Sequence, residues 1–310
     1  MSRTSGSIIH LAHSGDPDDA FMWWPLTGKV WPDGTPRDGA DAAPRIDTGG
    51  LVFEAVPGDI SEFNRLAAAD APYEITALSV RAWASVADRY VITRVGSSVG
   101  DGYGPKVVCP PACGLTPGGL RDPSVRIAVP GRRTSAFMAL CIALDDDGTS
   151  GRFIEAPFDR IIPMVARGEA DAGLVIHEGQ VQFADAGLSQ VLDLGEWWKR
   201  TRGLPLPLGV NAIRRDAATA LIAPLLAQSL AYALEHRAES VDYTLAFAAV
   251  NARAAGLPEP TRAVVERYVD MYVTGHTVDL GDDGVGAIER FLAAGAERGL
   301  CPRVGRVDVV

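Results

Sequence analysis

Between Ile127 and Gln180 the chain twice sets a short apolar run before a turn rich in small or polar residues, and this pattern limits the fold more than any other feature. Ile127-Ala-Val-Pro-Gly-Arg-Arg-Thr-Ser-Ala-Phe137 reads as strand, Pro-Gly break and helix start, with Thr134 or Ser135 at the helix N-terminus. Unpaired backbone N–H groups and the positive end of the helix dipole make such a terminus a seat for an anion. Asp171-Ala-Gly-Leu-Val-Ile-His-Glu-Gly-Gln180 reads as a buried strand, Ala172 to Ile176, that delivers His177 and Glu178 at its carboxyl end. Ligands of open α/β sheets sit beyond the carboxyl ends of the strands. The anion seat and the imidazole are therefore expected to face one another.

The flanking segments extend the same alternation. Ser7 to His13 reads as a strand that leads through Ser14-Gly-Asp-Pro-Asp-Asp-Ala-Phe21 into a Trp-rich helix over Met22 to Leu26, with Asp18 or Asp19 as its cap. Leu51 to Val56, Tyr73 to Ser79 and Tyr90 to Val95 read as strands, and Asp59 to Ala68 and Val80 to Val86 as helices. Gly96 to Pro105 and Leu204 to Gly209 read as crossovers, and the chain beyond Ala217 is helical. The expected architecture is α/β and two-lobed. Residues 1–104 and 205–310 form a discontinuous first lobe that carries the C-terminal helices, residues 105–204 form the second, and a central cleft lies between them.

Composition narrows the function. A net charge of −10 over 310 residues disfavours binding to nucleic acid or an anionic membrane, because phosphate would be repelled. No run approaches the roughly 20 apolar residues of a membrane span, and the first residues lack the apolar core of a signal peptide. Cys109, Cys113, Cys141 and Cys301 lack zinc-site spacing and read as free thiols, consistent with a cytoplasmic protein. Asp16, Asp18 and Asp19 could ring a cation, but no calcium-loop pattern follows, so capping and a solvated turn are the expectation and no metal is assigned.

Of the five histidines, His10 and His13 read as structural and His236 and His276 as surface residues. His177, in a strand-end loop, suits general-base work, with Glu178 either orienting it or facing solvent. Ser14, Ser79, Thr134 and Ser135 lack a nucleophile elbow and read as hydrogen-bonding groups for a ligand. The tryptophans read as packing.

Ser14 to Phe21, Tyr73 to Ser79, Gly102-Tyr-Gly-Pro105, Val129 to Ser135, Phe158 to Pro163, Gly168 to Gly179 and Gly203 to Gly209 together resemble the MqnD family, the 1,4-dihydroxy-6-naphthoate synthases of the futalosine route to menaquinone. The resemblance implies a clamshell like the type 2 periplasmic binding proteins. It also implies a lyase that opens cyclic dehypoxanthinyl futalosine, a small anionic aromatic substrate, into the naphthoate and dihydroxyacetone without a cofactor. The family's base falls on His177 and its ligand hydroxyls on Ser79, Thr134 and Ser135; Asp18, Gly104 and Glu178 stand in the shared blocks and complete the candidate set. The family's first block usually reads S-P-C-P-N-D-T-F, so Gly15, Asp16, Asp18 and Ala20 are departures, as is Ala77 where the family has lysine. The alternatives are a non-catalytic small-anion-binding clamshell in the cytoplasm, a paralogue with a related substrate, and the sibling chorismate dehydratases, which the Ile-His-Glu-Gly block disfavours. A homodimer is left open.

Overall fold

The structure, a computed structural model, describes residues 8–177 and 179–310. Its first half alternates strand and helix: β1 (Ile8–Ser14), α1 (Pro17–Thr27), β2 (Val52–Gly58), α2 (Ile60–Ala68), β3 (Ile75–Ser79) and α3 (Val80–Trp83), then β4 (Tyr90–Ile92) and β5 (Ser98–Gly100). A second run follows with β6 (Lys106–Cys109), β7 (Ile127–Val129), α4 (Ser135–Leu144), β8 (Phe153–Glu155), α5 (Phe158–Ala166), β9 (Ala172–Val175), α6 (Gly179–Gln182), β10 (Ser189–Asp193) and α7 (Leu194–Arg202). The chain then returns through β11 (Leu206–Arg214) and ends in α8 (Thr219–Glu235), α9 (Arg237–Ala254), α10 (Arg262–Tyr272), α11 (Gly275–Val278) and α12 (Gly281–Ala296).

Two sheets result. One has the order β2-β1-β3-β11-β4, with β5 also on β11; the other has the order β10-β6-β9-β7-β8. β1 lies parallel to β2 and β3, and β7 lies parallel to β8 and β9, so the carboxyl ends of these strands carry the turns that can meet a ligand. The chain crosses between the sheets twice, from β5 to β6 and from α7 to β11. Beneath these crossings one apolar cluster takes residues from both sheets, among them Leu78, Ile92, Val107, Ile127 and Leu174, together with α4 and α12. Burial of this shared core holds the two walls of the cleft on a common base.

α1 is a core helix: every residue from Pro17 to Leu26 is buried, and the helix packs against α8 and α9. An amphipathic surface helix would show a polar stripe, but Phe21, Met22, Trp23 and Trp24 leave no such face. Trp23, Trp24, Trp83 and Trp198 are all nearly inaccessible and serve packing, whereas Trp31 is half exposed.

The structure corrects four expectations. Cys109 and Cys113 are paired as a disulfide, because the end of β6 and the short turn after it bring their Cα atoms to 6.5 Å; Cys141 and Cys301 are free and buried. Asp16, not Asp18 or Asp19, is the N-cap of α1, since Pro17 starts the helix two to three residues earlier than those caps would. The helix after β3 stops at Trp83 and continues as turns. His236 and His276 are half-buried: His236 stacks on Tyr232 with ring centroids 3.9 Å apart, and His276 pairs with Asp283 at 3.1 Å.

Candidate functional site

Four strand ends meet at the cleft. Ser14 closes β1, Ser79 closes β3, Thr134 follows the turn after β7, and His177 follows β9. The cleft encloses about 660 Å³ of empty space with its mouth included, and these four residues line it with Ser135, Asp16, Asp18 and Asp19.

The hydroxyl groups differ in what they can still offer. Ser79 is fixed by Asn64 on α2, whose side chain donates to Ser79 Oγ at 3.0 Å and accepts from the Ser79 backbone N–H at 2.9 Å. Its own hydroxyl proton makes no hydrogen bond among the described residues. Thr134 caps α4: its Oγ1 accepts from the N–H of Phe137 at 3.1 Å and donates to the carbonyl of Gly131 at 2.8 Å. Ser135 donates to the carbonyl of Leu208 at 2.6 Å and accepts from the N–H of Arg81 at 3.2 Å. Ser135 thus ties α4 to β11 across the two sheets. The first N–H groups of a helix have no intrahelical acceptor. With Thr134 taking the N–H of Phe137, those of Ser135 and Ala136 remain for an anionic group.

His177 is held tightly. It is 9% exposed, its ring meets Phe158 edge-on at 4.6 Å, and its Nδ1 contacts the carboxylate of Asp16. Its φ of 55° is a left-handed conformation that costs a non-glycine residue about 1–3 kcal/mol, and such strain collects at functional sites. The sequence places Asp16 in a solvated turn, yet it is 6% exposed and reaches across the cleft from the opposite sheet. Asn64 was also missed. Its position on the buried face of α2, one helix before Ser79, carries no signal separable from packing.

The three aspartates of the first block have separate partners. Asp16 contacts His177, Asp19 accepts from the Ser14 N–H at 2.8 Å, and Asp18 accepts from the Ser98 hydroxyl at 3.0 Å through one oxygen. The other oxygen of Asp18 is buried and unpartnered among the described residues. Burial first, then the charges of Asp19 and Asp16, push the Asp18 carboxyl well above the usual carboxylate range. Burial and Asp16 bring Asp19 to about 6. With the Asp18 carboxyl held towards its neutral form and the Asp16 carboxylate turned to the His177 ring, less repulsion is left for an anionic ligand than three free carboxylates would exert. Among the described residues no group of side chains is arranged to hold a metal ion. His13, below the site, is driven down to about 4 by burial while bonding the carbonyl of Ser14 at 2.7 Å, which makes it a neutral structural residue.

A proton kept by folded Asp18 but released on unfolding makes stability fall as pH rises from about 4. Asp18→Asn is therefore expected to stabilise the protein by about 1–3 kcal/mol at pH 8, with the gain fading towards pH 4. Denaturant unfolding of both proteins at the two pH values checks this; equal stability at pH 8 would contradict it.

Two candidate residues remain. Gly104 is buried where the crossover passes the start of α7, and Pro105, not Gly104, lines the cleft. Glu178 lies outside the described residues.

Comparison with known proteins gives these geometries a family. The fold is that of the periplasmic binding proteins: the alkanesulfonate-binding protein SsuA of Xanthomonas axonopodis pv. citri, solved with MOPS, superposes with a TM-score of 0.61 at 16% identity over 98% of both chains. A crystallised protein from Archaeoglobus fulgidus is closer in sequence, with a TM-score of 0.77 at 38% identity over 94% of this chain and 98% of that one. A family model described as menaquinone biosynthesis matches residues 9–297. The 1,4-dihydroxy-6-naphthoate synthase of Thermus thermophilus is 39% identical over 94% of this chain and 95% of its own length; that of Streptomyces coelicolor is 30% identical over 97% of each. The chain belongs to the MqnD family of menaquinone biosynthesis. Among the described residues no helix is long and apolar enough to cross a membrane.

Proposed function

We propose that the protein is a 1,4-dihydroxy-6-naphthoate synthase that opens cyclic dehypoxanthinyl futalosine, with His177 as the general base. The observation that carries this reading is the buried imidazole held against Asp16, in one cleft with Ser79 and the N-terminus of α4. With Nδ1 engaged by the carboxylate, Nε2 is the nitrogen that accepts the proton. Loss of that proton from a carbon of the bound substrate starts an elimination: the electron pair left behind breaks the bond to the three-carbon fragment, which takes a proton back from the His177 imidazolium and leaves as dihydroxyacetone. The remaining ring system becomes the aromatic naphthoate. The N–H groups of Ser135 and Ala136 receive the substrate carboxylate, and the Ser79 hydroxyl donates to one of its oxygen atoms. Closed walls exclude water and strengthen each of these contacts.

Incubating purified protein with cyclic dehypoxanthinyl futalosine should yield naphthoate and dihydroxyacetone in equal amounts, followed by mass spectrometry. Unchanged substrate at stoichiometric enzyme concentration would sink the assignment.

A further inference from the structure

We propose that Asp16 is the positioning residue of the base, and that base and orienter meet only when the two walls of the cleft stand as close as they do here. This deepens the reading of His177 given above and rests on it.

Asp16 comes from the turn between β1 and α1, on the first sheet, while His177 follows β9 of the second. The two side chains are 9% and 10% exposed and in direct contact, so water does not screen them. Asp16 also stands at an N-cap, where an aspartate ordinarily accepts an N–H from the first turn of its own helix. It makes no such bond. Its backbone N–H instead donates to the Ser14 hydroxyl at 3.2 Å, and its carboxylate is turned to the imidazole. The neighbouring carboxylates are committed elsewhere, Asp19 to the Ser14 N–H and Asp18 to Ser98. Of the three, Asp16 is the one in contact with His177.

A carboxylate at Nδ1 does two things. It fixes the tautomer and the ring direction, so Nε2 meets the substrate as an acceptor, and it stabilises the imidazolium once the proton has moved. Because the partners belong to opposite sheets, an open cleft leaves the imidazole without its orienter. Proton removal is then coupled to closure, and a substrate that cannot draw the walls together meets a weaker base. Among the described residues, Asp18 from α1 and Asp59, which caps α2, also interact with the charge of His177, and burial pushes both carboxyls up.

The test compares wild type with Asp16→Asn and Asp16→Glu. Asp16→Asn should lower kcat about 10²-fold with KM within about threefold, and should move the acid limb of the kcat/KM profile to lower pH. Asp16→Glu should restore part of the rate. In a His177→Asn background, adding Asp16→Asn should cost less than about twofold more, because the pair acts as a unit. An unmoved acid limb, additive losses, or a loss confined to KM would overturn the proposal. The ring ¹⁵N spectrum of His177, recorded without substrate, separates this failure from failure of the assigned reaction. Asp16→Asn should shift Nδ1 there even if the wild type turns over no futalosine derivative, and an unshifted spectrum counts against the pairing.

Discussion

His177→Ala is expected to lower kcat on cyclic dehypoxanthinyl futalosine by about 10³-fold, the midpoint of the range for losing a positioned general base. KM should change far less, since the hydroxyl and N–H groups that seat the substrate belong to β3 and α4. The substitution leaves the Asp16 carboxylate buried without its ring partner, so a loss of about 1–3 kcal/mol in stability should accompany it. Circular dichroism and a denaturant melt separate the two effects. Near wild-type turnover in a folded variant would show that another group removes the proton.

The second large effect concerns the crossover. A Cβ atom on Gly195 would stand 1.8 Å from the Tyr103 carbonyl oxygen and 2.6 Å from the Gly104 nitrogen, both of them backbone. Backbone cannot swing aside as a side chain does, and the same stretch is tied by the Leu194 N–H to the Pro105 carbonyl at 2.9 Å. Gly195→Ala is therefore expected to destabilise by about 3 kcal/mol, with the strain taken up between Gly100 and Lys106. Gly104→Ala meets its nearest neighbour, the Gly195 nitrogen, at 3.0 Å and should cost about 1 kcal/mol. Unfolding curves for the pair give the ranking. A Gly104→Ala variant of full stability that binds ligand poorly would return Gly104 to the ligand site.

Much of this arrangement was legible because local signals agreed. The strand, Pro-Gly turn and hydroxyl before Ala136 specify a capped helix, and the cap forms as the residue types dictate. His177 after a buried four-residue strand is where sheet geometry delivers a functional side chain. The rest depended on contacts between distant segments. Nothing near Asp16 announces His177, 161 positions along the chain, and a triple aspartate in a Gly/Pro turn has the composition of a solvated loop. Only the approach of the two sheets buries it. The Cys109–Cys113 pair escaped for a related reason, since spacing alone does not say that the chain turns at once after β6. The hydroxyls illustrate a third limit. Ser79, Thr134 and Ser135 look equivalent in sequence, but two of them spend their protons on the carbonyls of Gly131 and Leu208.

A crystal structure of the protein with 1,4-dihydroxy-6-naphthoate bound would test the central claim most directly. The account predicts the naphthoate carboxylate at the N–H groups of Ser135 and Ala136, the Ser79 hydroxyl on one of its oxygens, and Nε2 of His177 against the ring system while Nδ1 stays on Asp16. Product seated outside this cleft, or inside it with the His177 ring turned away, would contradict it.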